Sequence, residues 1–109
     1  MYAIRLRQDG WQVDIAPDGE EGVVQALAEP PDLVVLDMML PGIDGVEVLT
    51  KLRSEERTKG LPVLVLSNSA RLSDTVQRAR RLGVLGWRVK SSTTPTQLSS
   101  EIRSFLNRS

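Results

Sequence analysis

The sequence contains no cysteine and no histidine. The first absence excludes disulfides, thiolate-bound zinc, iron–sulfur clusters and thiol nucleophiles. The second excludes a Ser-His-Asp triad, imidazole metal ligands and phosphohistidine chemistry within the chain. Aromatics are scarce, with two Trp, one Tyr and one Phe, which leaves little with which to stack nucleic-acid bases. No apolar run approaches the roughly 18–20 residues of a membrane span, and the first residues show no signal-peptide pattern. An intracellular, cytoplasmic protein is expected. Net charge is also missing, because 14 basic residues balance 14 acidic ones. That zero conceals a division. Residues 1–56 carry 12 acids and 4 bases, a balance of −8, whereas residues 57–109 carry 10 bases and 2 acids, a balance of +8. Such an asymmetry is a reason to look for a site or a partner.

What is present is ordinary globular material, 40% hydrophobic and 26% charged over 109 residues, enough for one domain with one core. Four segments open with Asp or Thr followed three residues later by Glu or Gln: Asp18–Glu21, Asp44–Glu47, Asp74–Gln77 and Thr94–Gln97. This is the capping box, in which the first side chain accepts from orphan N–H groups and the fourth reaches back to the cap. Pro95 suits the first helical position, where no N–H is needed. Leu98, Ile102, Phe105 and Leu106 then form one apolar stripe. Short apolar runs precede the helices at Val13–Ala16, Leu33–Leu36, Val63–Leu66 and, more weakly, Leu85–Val89. LVVL and VLVL are continuous rather than alternating, as in parallel strands buried on both faces. Pro30-Pro31, Gly60 with Pro62, and Gly83 separate helix from following strand. The alternation predicts an α/β fold of three layers, a doubly wound parallel sheet.

Ligands of such sheets bind beyond the carboxyl ends of the strands. Asp37 ends the second run, Ser67 ends the third and Lys90 ends the fourth. Each has a plainer reading alone, as a turn Asp, a turn Ser or a solvated Lys. Asp44 already caps the next helix, so Asp37 is not needed for that role. Together they put a carboxylate, a hydroxyl and an ammonium on three successive βα units. A carboxylate can attack phosphorus to form an acyl phosphate, and cationic and hydroxyl donors stabilise the transferred oxygens.

The segment DLVVLDMMLPGIDGV, residues 32–46, resembles the phosphoacceptor segment of response-regulator receiver domains, the CheY-like modules of two-component signalling. VDIAPDGEEG before it, and VLVLSNSA and LGVLGWRVKSSTTPTQL after it, fit the same family in order and spacing. The resemblance implies a flavodoxin/CheY-like fold with strand order 2-1-3-4-5. It implies that Asp37 is the phosphoacceptor, Ser67 the hydroxyl that closes on the phosphoryl group, Lys90 the lysine that contacts it, and Trp87 the switch aromatic. The backbone carbonyl of Met39 matches a position that helps hold Mg²⁺. A packing role is the plain alternative for Trp87.

Three departures stand out. The chain starts inside what the family has as its first helix, so strand 1 and the acidic pair that ends it are absent by register. The sequence begins at an internal Met, or omits residues of a longer chain, or belongs to a truncated receiver whose open edge is filled by a partner or a swapped subunit. Tyr2, Ile4 and Leu6 alternate with Ala3, Arg5 and Arg7, but the register favours a helix end. With Asp37 alone, a Mg²⁺ site is expected to be weak, and Asp14 and Asp18 belong by register to a strand and a cap. Secondly, Ser91 follows Lys90 where the family has Pro. A cis bond there costs roughly 2.5–4 kcal/mol, so the loop is either trans and differently shaped or cis under strain. Thirdly, Asn68 follows Ser67 where a small residue is commoner.

The resemblance implies a histidine kinase or histidine phosphotransfer protein as phosphate donor. It implies no enzyme activity beyond self-phosphorylation from phosphodonors and slow autodephosphorylation. Receivers commonly signal through the face of the fourth helix, fifth strand and fifth helix. That region carries Arg71, Arg78, Arg80, Arg81, Arg88 and Arg103. The cluster suggests an acidic protein surface or a homodimer, through this face or the open sheet edge. The sequence has no helix-turn-helix after residue 109 and therefore argues against direct DNA binding. Two other readings remain at this stage. One is a degenerate receiver that acts as a phosphorylation-independent interaction module. The other is an enzyme or cofactor binder on the same sheet type. A haloacid-dehalogenase-like phosphatase would need an Asp where Met39 stands, and a flavodoxin would need a phosphate-cradling loop after strand 1.

Overall fold

The computed structural model of the chain describes residues 2–38, 44–67 and 74–107. The expectations for Met39, Asn68 and Arg71 fall outside the described residues. The elements in chain order are α1 (Tyr2–Gln8), α2 (Gly19–Ala28), β1 (Val34–Asp37), α3 (Gly45–Ser54), β2 (Val63–Ser67), α4 (Asp74–Arg81), β3 (Gly86–Val89), a 3₁₀ turn (Lys90–Ser92) and α5 (Pro95–Leu106).

The helix ends follow local chemistry. Asp18 and Asp44 each accept from the backbone N–H three residues on, at 2.8 and 2.9 Å. Thr94 and Gln97 form the full reciprocal box, with bonds of 3.1 and 2.9 Å. Beyond the end of α1, Gly10 has a φ of 96° that lets the Trp11 N–H return to the Leu6 carbonyl at 3.1 Å.

The sheet is parallel, in the order β1-β2-β3. Val34 pairs with Val63 and Asp37 with Leu66, while Leu64 pairs with Gly86 and Ser67 with Val89. All five residues of the central β2 are buried, and their alternation divides the core. Val63 and Val65 point into a cluster with Val23 and Ala26 of α2, Val48, Leu49 and Leu52 of α3, and Ala79 of α4. Leu64 and Leu66 point the other way, onto Leu6 of α1 and Leu98 and Ile102 of α5. Helices thus cover both faces, which makes the three layers expected of the fold.

One expectation is corrected. Val13–Ala16 is not a strand but irregular chain, with Ile15 60% exposed. A strand exists only by pairing, and its β-branched residues cannot form one without a neighbouring ladder. Among the described residues, β1 pairs only with β2, so no ladder adjoins this segment. Val13 still packs on the second cluster. Residues 2–8 are helical, as the register implied.

Side chains stitch the helices at both faces. Trp11 Nε1 donates to Ser99 Oγ at 3.2 Å, and Arg103 lies 5.6 Å over the Trp11 ring. The Asp9 carboxyl is held below its ordinary range by a hydrogen bond from Ser99 and by the charges of Arg5 and Arg103. Across the other layer, Arg53 of α3 donates to the carbonyls of Leu82 (2.8 Å), Gly83 (2.7 Å), Lys59 (3.2 Å) and Thr58 (3.4 Å). Desolvation lowers its pKa, yet guanidinium stays charged at neutral pH.

Two measurements check this account. Leu64→Ala, at a fully buried site, should lose about 2–5 kcal/mol in urea unfolding with an unchanged m-value, whereas Ile4→Ala, at a 61% exposed one, should lose under about 0.5 kcal/mol. Arg53→Met should cost roughly 1–3 kcal/mol, because carbonyls at the α3–α4 seam lose their donor.

Candidate functional site

The parallel register brings three chain-distant residues to one rim. Asp37 is the last residue of β1 and Ser67 the last of β2, and Lys90 directly follows β3. Hydrogen bonds continue the ladder at this end, with the Met38 N–H on the Leu66 carbonyl at 3.0 Å. Lys90 extends from β3 past the end of β2 to β1, where its Nζ donates to Asp37 Oδ2 at 2.6 Å. The two side chains are 30% and 33% exposed. A pair this accessible contributes roughly 0.2–1 kcal/mol to stability, so stability does not account for its placement. Ser67 is buried beside them, on the central strand.

No peptide bond among the described residues is cis, so Lys90-Ser91 is trans. The chain leaves β3 in a 3₁₀ turn, Lys90–Ser92, closed by the Thr93 N–H on the Lys90 carbonyl at 3.4 Å. Ser91 thus gives the differently shaped trans loop, one of the two shapes that replacement of Pro left open. Behind Asp37, Gly45 receives the Met38 side chain. A Cβ at position 45 would overlap its sulfur, so the glycine lets α3 begin close against Met38, the residue after Asp37.

Trp87 is half-buried on β3 and packs against the cluster shared by α2, α3 and α4. Its neighbour Arg88 lies on the opposite face. There the Nε donates to Glu101 of α5 at 2.6 and 3.1 Å, and the guanidinium covers Gly86. The expected arginine face is therefore divided. Arg88 is ion-paired, whereas Arg78 and Arg81 line a groove of about 230 Å³ with Val46, Thr50 and Leu82, between α3 and α4. Arg103 covers Trp11. Sequence reasoning missed the Arg53 clamp and a bond from Tyr2 to the Lys90 turn. Both join residues far apart in the chain, for which no local signal exists.

An acidic side chain, a hydroxyl and a lysine at the carboxyl rim of a three-layer parallel sheet define a flavodoxin/CheY-like α/β protein. The chain belongs to the response regulator receiver domain family, whose model matches residues 2–103. Over 103 residues it is 33% identical to the phosphate regulon transcriptional regulatory protein PhoB of Rhizobium meliloti, which covers 94% of this chain and 44% of that one. The chain spans about a third to under half the length of the curated relatives it matches. Among solved structures it resembles the chemotaxis response regulator CheY4 of Vibrio cholerae, with a TM-score of 0.84 at 26% identity, covering 95% of this chain and 85% of that one. It shares the fold of the receiver domain of sensor histidine kinase PA1611 from Pseudomonas aeruginosa PAO1, with a TM-score of 0.83 at 22% identity over 95% and 84% of the two chains. That receiver is described with a magnesium ion coordinated in its active site cleft. Among the described residues of the present chain, no helix is long and apolar enough to cross a membrane.

If the rim pair is placed for chemistry rather than stability, Lys90→Gln should change the unfolding free energy by less than about 1 kcal/mol. Urea titration of the variant beside the parent checks this, and a loss of several kcal/mol would make the pair structural.

Proposed function

We propose that Asp37 accepts a phosphoryl group from a phosphohistidine on a histidine kinase or histidine phosphotransfer protein. One Asp37 oxygen attacks phosphorus in line with the leaving nitrogen. The O–P bond forms as the P–N bond breaks, and the imidazole leaves with the bonding pair. Lys90 then turns from the carboxylate to the phosphoryl oxygens, and Ser67 donates its hydroxyl to one of them. Trp87, on the same strand as the approach to Lys90, relays the change to α4. The observation that carries this reading is the 2.6 Å contact between Lys90 and Asp37 across the strand ends. The chain acts as one receiver domain over residues 1–109. Its partner surfaces are protein rather than nucleic acid, which accords with the scarcity of aromatics that could stack bases and with the pairing of Arg88.

On the described residues, Mg²⁺ would be held weakly, by Asp37 with carbonyls and water. No group of three or more acidic side chains converges among them, and one carboxylate leaves the ion mostly to water and carbonyls. A Mg²⁺ titration followed by tryptophan fluorescence should show no saturation below about 1 mM.

The second reading is an interaction module that works without phosphorylation. Acetyl phosphate with Mg²⁺, followed by intact-mass measurement, separates the two. The phosphoacceptor reading expects a phosphate adduct on the parent, none on Asp37→Asn, and a slower adduct on Lys90→Gln. No adduct on the parent would leave the interaction module.

A further inference from the structure

The hydroxyl of Tyr2, on α1, donates to the carbonyl of Thr93 at 2.7 Å and lies 3.4 Å from the carbonyl of Lys90. These two carbonyls bracket the 3₁₀ turn that carries Lys90 away from β3. The turn has little else to define it. Its own closing bond is long, at 3.4 Å, Ser91 and Ser92 are exposed, and Val89 at its cap position supplies no side-chain hydrogen bond. Thr93 is the exception, 8% exposed, and it is the residue that Tyr2 holds. On the far side, α1 is fixed to α5 through Trp11 and Ser99 and through Arg103. The phenol ring itself packs against the cluster containing Leu64 and Leu66, the side chains of β2 that face α1 and α5. Tyr2 thus joins the packed α1–α5 layer to the turn whose direction decides where the Lys90 ammonium lies.

We propose that Tyr2 is a positioning residue for Lys90: its hydroxyl fixes the Lys90–Ser92 turn in the trans shape that delivers the ammonium to Asp37. The inference concerns the placement of Lys90. Its importance for phosphoryl transfer rests on the phosphoacceptor reading. The hydroxyl takes no part in the chemistry. It acts through the carbonyls at the two ends of the turn, so its loss loosens the turn and lowers the fraction of time that Lys90 spends on Asp37.

Two readouts test the proposal, one of them independent of phosphorylation. Lys51, Lys59 and Lys90 are the lysines of the chain. Competitive labelling with trace acetic anhydride, read by peptide mass spectrometry, reports how far each amine is held in an ion pair. Tyr2→Phe keeps the ring and removes only the hydroxyl. Lys90 should then acetylate about three- to ten-fold faster relative to Lys51 and Lys59, as expected for the loss of one neutral hydrogen bond, while the urea midpoint shifts little. An unchanged Lys90 ratio in a folded Tyr2→Phe protein overturns the proposal. The second readout is the rate of adduct formation from acetyl phosphate. Tyr2→Phe should slow it by a similar factor in the parent and not at all in Lys90→Gln, because a residue that works through Lys90 has no effect once Lys90 is gone. Equal slowing in both backgrounds assigns Tyr2 a general structural role and also overturns the proposal. If the parent takes no phosphate but the Lys90 ratio rises in Tyr2→Phe, the phosphoacceptor reading fails and the positioning role stands.

Discussion

Everything in this molecule depends on the burial of β2 on both faces. A strand with apolar side chains above and below must be covered twice, and the two helical layers exist to do that. Val63 and Val65 call for α2, α3 and α4, while Leu64 and Leu66 call for α1 and α5. The same strand fixes the site. Its two neighbours pair in parallel register, so all three strands end at one rim, and polar residues can stand there because the apolar layers stop. The chemistry is placed by the core and contributes little to it.

The rim combines residues that are weak alone. Asp37 and Lys90 stand 53 positions apart in the chain, and neither is buried enough for the pair to matter much to stability. Such a contact can be exchanged cheaply, as the proposed move of the ammonium from carboxylate to phosphoryl group requires. A deeply buried pair would resist that exchange, because separating buried charges is costly.

How much of this could be read from the sequence varied with the range of the interaction. Thr94, Pro95 and Gln97 announce a helix start because capping is settled within four residues. LVVL and VLVL announce buried strands because composition alone signals burial on both faces. The rim could be read from Asp37, Ser67 and Lys90 because each stands at the carboxyl end of an apolar run, and parallel topology does the rest. Val13–Ala16 has the same apolar character and forms no strand, because pairing is a property of the neighbour as well as of the segment. The arginines show a similar limit. A count predicts a basic face, but it cannot foresee that Glu101 engages Arg88 while Arg78 and Arg81 turn toward α3. Arg53 and Tyr2 act on carbonyls 29 and 91 positions away, and no local pattern encodes such contacts.

The Arg53 clamp has a mechanical consequence. Its bonds to the Leu82 and Gly83 carbonyls pin the carboxyl end of α4 to α3. A rod held at one end can turn only about that end, so any movement of α4 against α3 would be smallest beside the Arg53 guanidinium.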